Sequence, residues 1–113
     1  MKRPAWVTNE QKWNTHCRKI RARSRDLLEG RLGVTNAAIE LSKLGFWVRA
    51  DDDPDFTVFT AIGSECTHLP VGSVRTEWAA DALQEKDAEL RALEDRWRQR
   101  ALTAAANLLK KYA

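Results

Sequence analysis

His16, Cys17, Cys66 and His68 are the residue types of a Cys₂His₂ zinc site. Zinc takes four ligands converging tetrahedrally, usually drawn from C-x₂₋₄-C and H-x₃₋₅-H pairs. Neither pair here has that form. Neighbours on a helix point about 100° apart, so His16 and Cys17 do not converge easily on one ion. Cys17 also falls on an apolar stripe, where a buried thiol is explanation enough. We therefore expect no metal and no cofactor.

Ser64, Glu65, Cys66 and His68 are a second set, with two nucleophile types near a base, as acyl transfer requires. No nucleophile-elbow pattern surrounds them, and no group is visible to orient His68. A turn in which Ser64 bonds nearby backbone accounts for the same residues. Catalysis is not the expected use.

Phosphate binding is the third chemistry. Arg18, Lys19, Arg21, Arg23 and Arg25 lie within eight residues, and such a run attracts phosphates without reading bases. No helix-turn-helix, zinc-finger, RNA-recognition or basic-zipper pattern accompanies it. The acids of 51–55 offer the arginines an internal partner, and a solvated helix face is the simpler outcome.

The densest segment is Ser64-Glu65-x-x-His68-Leu69-Pro70-Val71-Gly72-x-x-Arg75-x-x-Trp78. Charged, rigid and aromatic residues mixed in a connection are where binding groups collect. They can equally define the fold, with Leu69-Pro70 plugging the core, Gly72 turning the chain and Glu65 pairing with Arg75. Both uses stay open.

These residues need helices to hold them. Thr8-Asn9-Glu10-Gln11 has capping-box form and predicts a helix start at Thr8. Trp13, Cys17, Ile20, Ser24 and Leu27/Leu28 then recur every three or four residues, and Gly30 is a stop. A second helix follows Gly33, capped by Thr35, with Val34, Ala38, Leu41 and Leu44 on one face before Gly45. Phe46-Trp47-Val48 is too short a run for its periodicity to decide. Asp53-Pro54 reads as a helix start, with Phe56, Phe59 and Ile62 inward and Gly63 as the stop. A strand through Phe56, Val58 and Thr60 is the rival; the helix is preferred. From about Glu77 to Tyr112 no Gly or Pro intervenes. Leu83, Leu90, Trp97 and Ala104 recur every seven residues, widened by Leu93, Ala101, Leu108 and Tyr112. Asp87–Arg91 and Glu94–Arg98 have the spacing of helical ion pairs. At about 1.5 Å per residue this helix reaches roughly 50 Å, longer than such a domain requires, so it kinks or projects.

The expected fold is mainly α, a small helical bundle of three shorter helices packed on one long C-terminal helix, in a single domain over 1–113. Two cysteines do not form a secreted disulfide framework. No charged start leads into an apolar signal core, and no apolar stretch approaches the roughly 20 residues that span a bilayer. The expectation is a cytoplasmic chain with reduced thiols. Its net charge of +3 is unevenly spread, at +6 over residues 1–31 and −5 over 51–65. Five tryptophans are an unusual number, and such side chains anchor cores or interfaces.

Three stretches resemble a family of small bacterial proteins catalogued as a domain of unknown function. They are Leu27-Leu28-Glu29-Gly30-Arg31-Leu32-Gly33-Val34, then Asp55-Phe56-x-x-Phe59-x-x-Ile62-x-Ser64-Glu65, then Leu69-Pro70-Val71-Gly72-x-x-Arg75-x-x-Trp78. The resemblance covers residues 25–112. The family loop reads closer to Ser-Glu-Thr-Asp-x-Leu-Pro; here Cys66, Thr67 and His68 follow Glu65, so no role for the missing acid carries over. The resemblance implies fold and bacterial origin, not chemistry. By analogy of size and style, the expectation is a non-enzymatic protein-binding domain, an immunity protein that neutralises a toxin. Asp51, Asp52, Asp53, Glu65, His68, Arg75 and Trp78 are its expected contact residues. The alternative is a nucleic-acid-associated accessory protein using Arg18, Lys19, Arg21, Arg23 and Arg25. A homodimer through the long helix is compatible with either.

Overall fold

Helix formation follows from the apolar spacing, and the chain folds into four α-helices with one 3₁₀ turn. The computed structural model describes residues 3–113. In order they are α1 (Glu10–Leu28), α2 (Val34–Trp47), α3 (Pro54–Glu65), a 3₁₀ segment (Gly72–Glu77) and α4 (Ala80–Lys111). No strand occurs among the described residues, so the 54–62 ambiguity resolves as helix. Three shorter helices pack on the long last one.

The α1 stripe is buried as its spacing predicts, at Trp13, Cys17, Ile20, Ser24 and Leu27. Its start is one residue later than expected. Asn9, not Thr8, is the N-cap, its side chain accepting from the Lys12 N–H at 3.0 Å. The stop at Gly30 is a Schellman motif. Gly30 N–H donates to Leu27 C=O and Arg31 N–H to Asp26 C=O, with Gly30 at φ 79°.

α2 runs through Gly45 and ends within Phe46-Trp47-Val48, a run whose sequence was open to either an extended segment or a helix end. Gly45 is there because Phe56 of α3 sits where a Cβ would be, 2.6 Å from its Cδ1. The helix closes two residues later with a second Schellman motif, Arg49 N–H to Phe46 C=O and Ala50 N–H to Gly45 C=O. The left-handed position is filled by Arg49 (φ 55°), whose guanidinium lies over the Trp6 ring. Phe46 and Trp47 therefore end the helix and lie largely outside, 67% and 52% exposed. Thr35 is not the N-cap of α2; Gly33 is, without a side-chain cap. The cap comes from α4 instead. Glu94 Oε2 accepts from both Thr35 N–H and Thr35 Oγ1, each at 3.0 Å.

Gly63 does not stop α3, which continues to Glu65. Leu69 and Pro70 are buried, as the plug reading requires.

α4 divides into two halves. Leu93, Trp97, Ala101, Ala104, Ala105 and Leu108 are buried, their alanines letting the other helices approach. Residues 80–92 hold no fully buried side chain; Leu90 packs partly buried against the edge of the core, while Leu83 is not part of it despite its heptad spacing. The molecule measures 50 × 27 × 23 Å, and its radius of gyration of 15.0 Å exceeds the roughly 13 Å of a compact chain this long. Neither expected ion pair forms on α4: Asp87 is engaged by Arg75 and Glu94 by Thr35, while Arg98 turns to Asp95. Among the described residues no helix is long and apolar enough to cross a membrane.

Candidate binding surfaces

The seven expected contact residues do not form one surface. α3 has 12 residues, about 18 Å of helix, and it separates them into two groups.

Asp51, Asp52 and Asp53 lie at its N-terminus. Asp53 caps the helix, accepting from Asp55 N–H at 2.9 Å, and also receives Lys111 Nζ at 3.0 Å. Lys111 bonds Asp55 at 2.6 Å, and these two acids raise its pKa. The acids thus join α3 to the end of α4, correcting the expectation that they neutralise the arginines of α1. Asp51 and Asp52 remain exposed in the preceding turn.

Glu65, His68, Arg75 and Trp78 lie toward the opposite end: Glu65 is the last residue of α3, His68 is in the turn that follows, Arg75 is in the 3₁₀ segment and Trp78 just after it. Glu65 accepts from Trp97 Nε1 and from Arg96, which hold its carboxyl below the ordinary range. Its expected pairing with Arg75 is absent. Arg75 instead forks onto Asp87 (2.7 and 2.9 Å) and donates to the Pro70 carbonyl at 3.1 Å. This fork lowers the Asp87 pKa. His68 Nε2 lies 2.7 Å from Glu89 Oε1, a partner the sequence did not suggest. Beside them Trp78 is 37% exposed and Val74 45%.

The residues weighed for chemistry have separate environments. Cys17 and Cys66 are buried free thiols, and burial pushes both pKa values up. Cys66 Sγ donates to the Gly63 carbonyl (3.4 Å), not to His68. His16 stacks on Trp47, with ring centroids 5.2 Å apart. Among the described residues no group of three or more His, Cys, Asp or Glu can hold a metal ion.

A search of protein-family models, curated proteins and solved structures finds no match to this chain. The surfaces must be read from their own geometry.

The basic run also divides. Arg21 donates to the Tyr112 carbonyl at 2.7 Å, tying α1 to the end of α4. Arg23 pairs with Asp26 at 2.9 Å and lies 3.8 Å from Glu40. Arg18, Lys19 and Arg25 are exposed and form no ion pair among the described residues. Sequence reasoning missed a groove of about 320 Å³ between α1 and α2, lined by Lys19, Arg23, Glu40, Lys43, Leu44 and Trp47. Trp47 also lines an adjacent hollow with Lys12 and His16. The signal was present, since Lys12, His16, Lys19 and Arg23 follow the same three-and-four spacing as the apolar stripe.

Proposed function

We propose that this chain is a non-enzymatic protein-binding domain of the immunity-protein type, which occludes a toxin by docking it on the 65–78 segment. One observation carries this reading: Trp78 and Val74 are half exposed on a turn that the Arg75–Asp87 fork holds in place. A solvent-facing tryptophan on a preorganised turn loses little conformational freedom on binding, and tryptophan leads the residues that dominate interface energies. Glu77, Asp81 and Glu85, close to it in sequence, are also exposed and would supply an acidic rim to an apolar centre. Such a rim suits a partner surface bearing Lys or Arg and speeds encounter with it.

Within this reading the fork positions Trp78 and need not touch the partner. Asp51 and Asp52, at the far end of α3, serve only a partner broad enough to span both groups.

The test is co-expression with each candidate toxin encoded by a neighbouring gene, with growth and complex formation measured together. Trp78→Ala should abolish protection and weaken the complex about 30-fold or more, while the helical circular dichroism is retained. Full protection by Trp78→Ala and Val74→Ser together would remove the proposed surface. Failure of the unaltered chain to protect, or to bind any neighbouring product, would remove the reading itself.

A further inference from the structure

The groove between α1 and α2 takes no part in that reading, and its composition is unusual. Lys12, Lys19 and Lys43 form no ion pair among the described residues. Arg23 is half satisfied: its guanidinium meets Asp26 and Glu40, while its buried Nε has no hydrogen-bond partner. Glu40 is the acid on the groove wall. Three lysines without an ion pair thus lie along this face, where Glu40, the one acid lining the groove, is already shared with Arg23, and the excess of positive charge favours an anionic ligand.

The aromatic groups decide what kind of anion fits. Trp47 lines both the groove and the adjacent hollow, half exposed, with His16 stacked against it at an interplanar angle of 29°. Burial, then Lys19 and Lys12, lower the His16 pKa, which favours the neutral imidazole as a stacking surface. Along α1, Lys12 to Arg23 spans about 16 Å. A row of cations with an accessible indole beside it is the arrangement that tracks a phosphate backbone while bases stack on aromatic rings. Acidic peptides would use the cations and leave the rings idle. Duplex DNA keeps its bases stacked on each other, out of reach of Trp47.

We propose that the α1–α2 groove binds single-stranded nucleic acid, with Lys12, Lys19, Arg23 and Lys43 on the phosphates and Trp47 stacking a base. The site is separate from the Trp78 surface, so either can fail alone.

The experiment is fluorescence anisotropy of the full chain with a labelled oligodeoxythymidine of about 12 nucleotides, beginning at low salt. Saturable binding is expected, with log K falling against log salt at a slope of about −2 to −3, from three or four phosphates at about −0.7 each. Lys19→Glu with Lys43→Glu should weaken binding more than tenfold and flatten that slope. Trp47→Ala should weaken it about tenfold with the slope kept. Arg91→Glu, an exposed charge on α4, is the control and should change affinity less than twofold. All four positions are exposed, and circular dichroism confirms that each variant folds. No binding at low salt overturns the proposal. So does equal affinity for polyglutamate or for a duplex of the same length, or a loss from Arg91→Glu as large as that from the groove reversals.

Discussion

Two glycines inside helices should respond in opposite directions to the same substitution. Gly45 in α2 and Gly63 in α3 both have ordinary helical backbone, so each gains about 1 kcal/mol of helix propensity on conversion to alanine. A Cβ on Gly63 meets nothing within 4 Å. Gly63→Ala should therefore stabilise the fold by about 0.5–1 kcal/mol. A Cβ on Gly45 would lie 2.6 Å from Cδ1 and 2.7 Å from Cγ of Phe56, far inside the 3.5–4.0 Å of a carbon contact. Phe56 is fully buried, so its ring has no open space to move into. Overpacking of this kind costs about 1–3 kcal/mol, and Gly45→Ala should be net destabilising by about 1 kcal/mol. The propensity gain is common to both variants and cancels in their difference. The gap of about 2 kcal/mol therefore measures the clash alone. Urea unfolding followed by circular dichroism reads it directly. At a slope of 1–3 kcal/mol per molar, the two midpoints should lie about 1 M apart on either side of the unaltered chain. Midpoints within about 0.2 M of each other would refute the argument, because α2 and α3 would then not meet at Gly45.

Glu94→Ala removes the carboxylate that caps α2 from another helix, and should cost about 2 kcal/mol by thermal or urea unfolding. Glu94→Gln, which keeps an acceptor, should cost less than half of that. Ser24 is fully buried in α1 with an unpartnered hydroxyl, so Ser24→Ala should raise stability by up to about 1 kcal/mol; a fall of that size would mean the hydroxyl has a partner. Tyr112 is the sole tyrosine. Burial, with the Cys17 and Asp53 side chains adding, pushes its phenol from 10 up to about 12. A raised folded pKa means its contribution is complete below pH 10 and is lost as pH rises from 10 to about 12. Phenolate absorbance should show a midpoint near 12 or a steep step on unfolding, and a simple titration centred at pH 10 would contradict its burial.

Periodic features were legible in the sequence. The five buried positions of α1 and the inward Phe56, Phe59 and Ile62 follow from spacing alone, because a 3.6-residue repeat places them on one face whatever they pack against. Element ends were less so. The left-handed position closing α2 is held by Arg49, with no Gly or Asn to mark it, while Gly45 sits inside the helix for the sake of Phe56. Pairings were the least legible. Arg75 was equally free in sequence to take Glu65 or Asp87; the position of the 3₁₀ segment against α4 selects Asp87. The groove was hidden for a related reason. One of its walls is a cationic stripe on α1, but Lys43 and Trp47 join it only when α2 docks.

Arg21 reaches the Tyr112 carbonyl, and the Trp13 and Tyr112 rings lie 6.4 Å apart. Of these four helices, α1 is synthesised first and is packed by α4, which follows the other three. While α2 and α3 are being synthesised, Trp13, Cys17 and Ile20 lack the α4 face that covers them. The nascent chain carries an exposed apolar helix edge until α4 has been made. A translational pause before α4 would prolong that exposure, whereas one after Tyr112 has emerged would not.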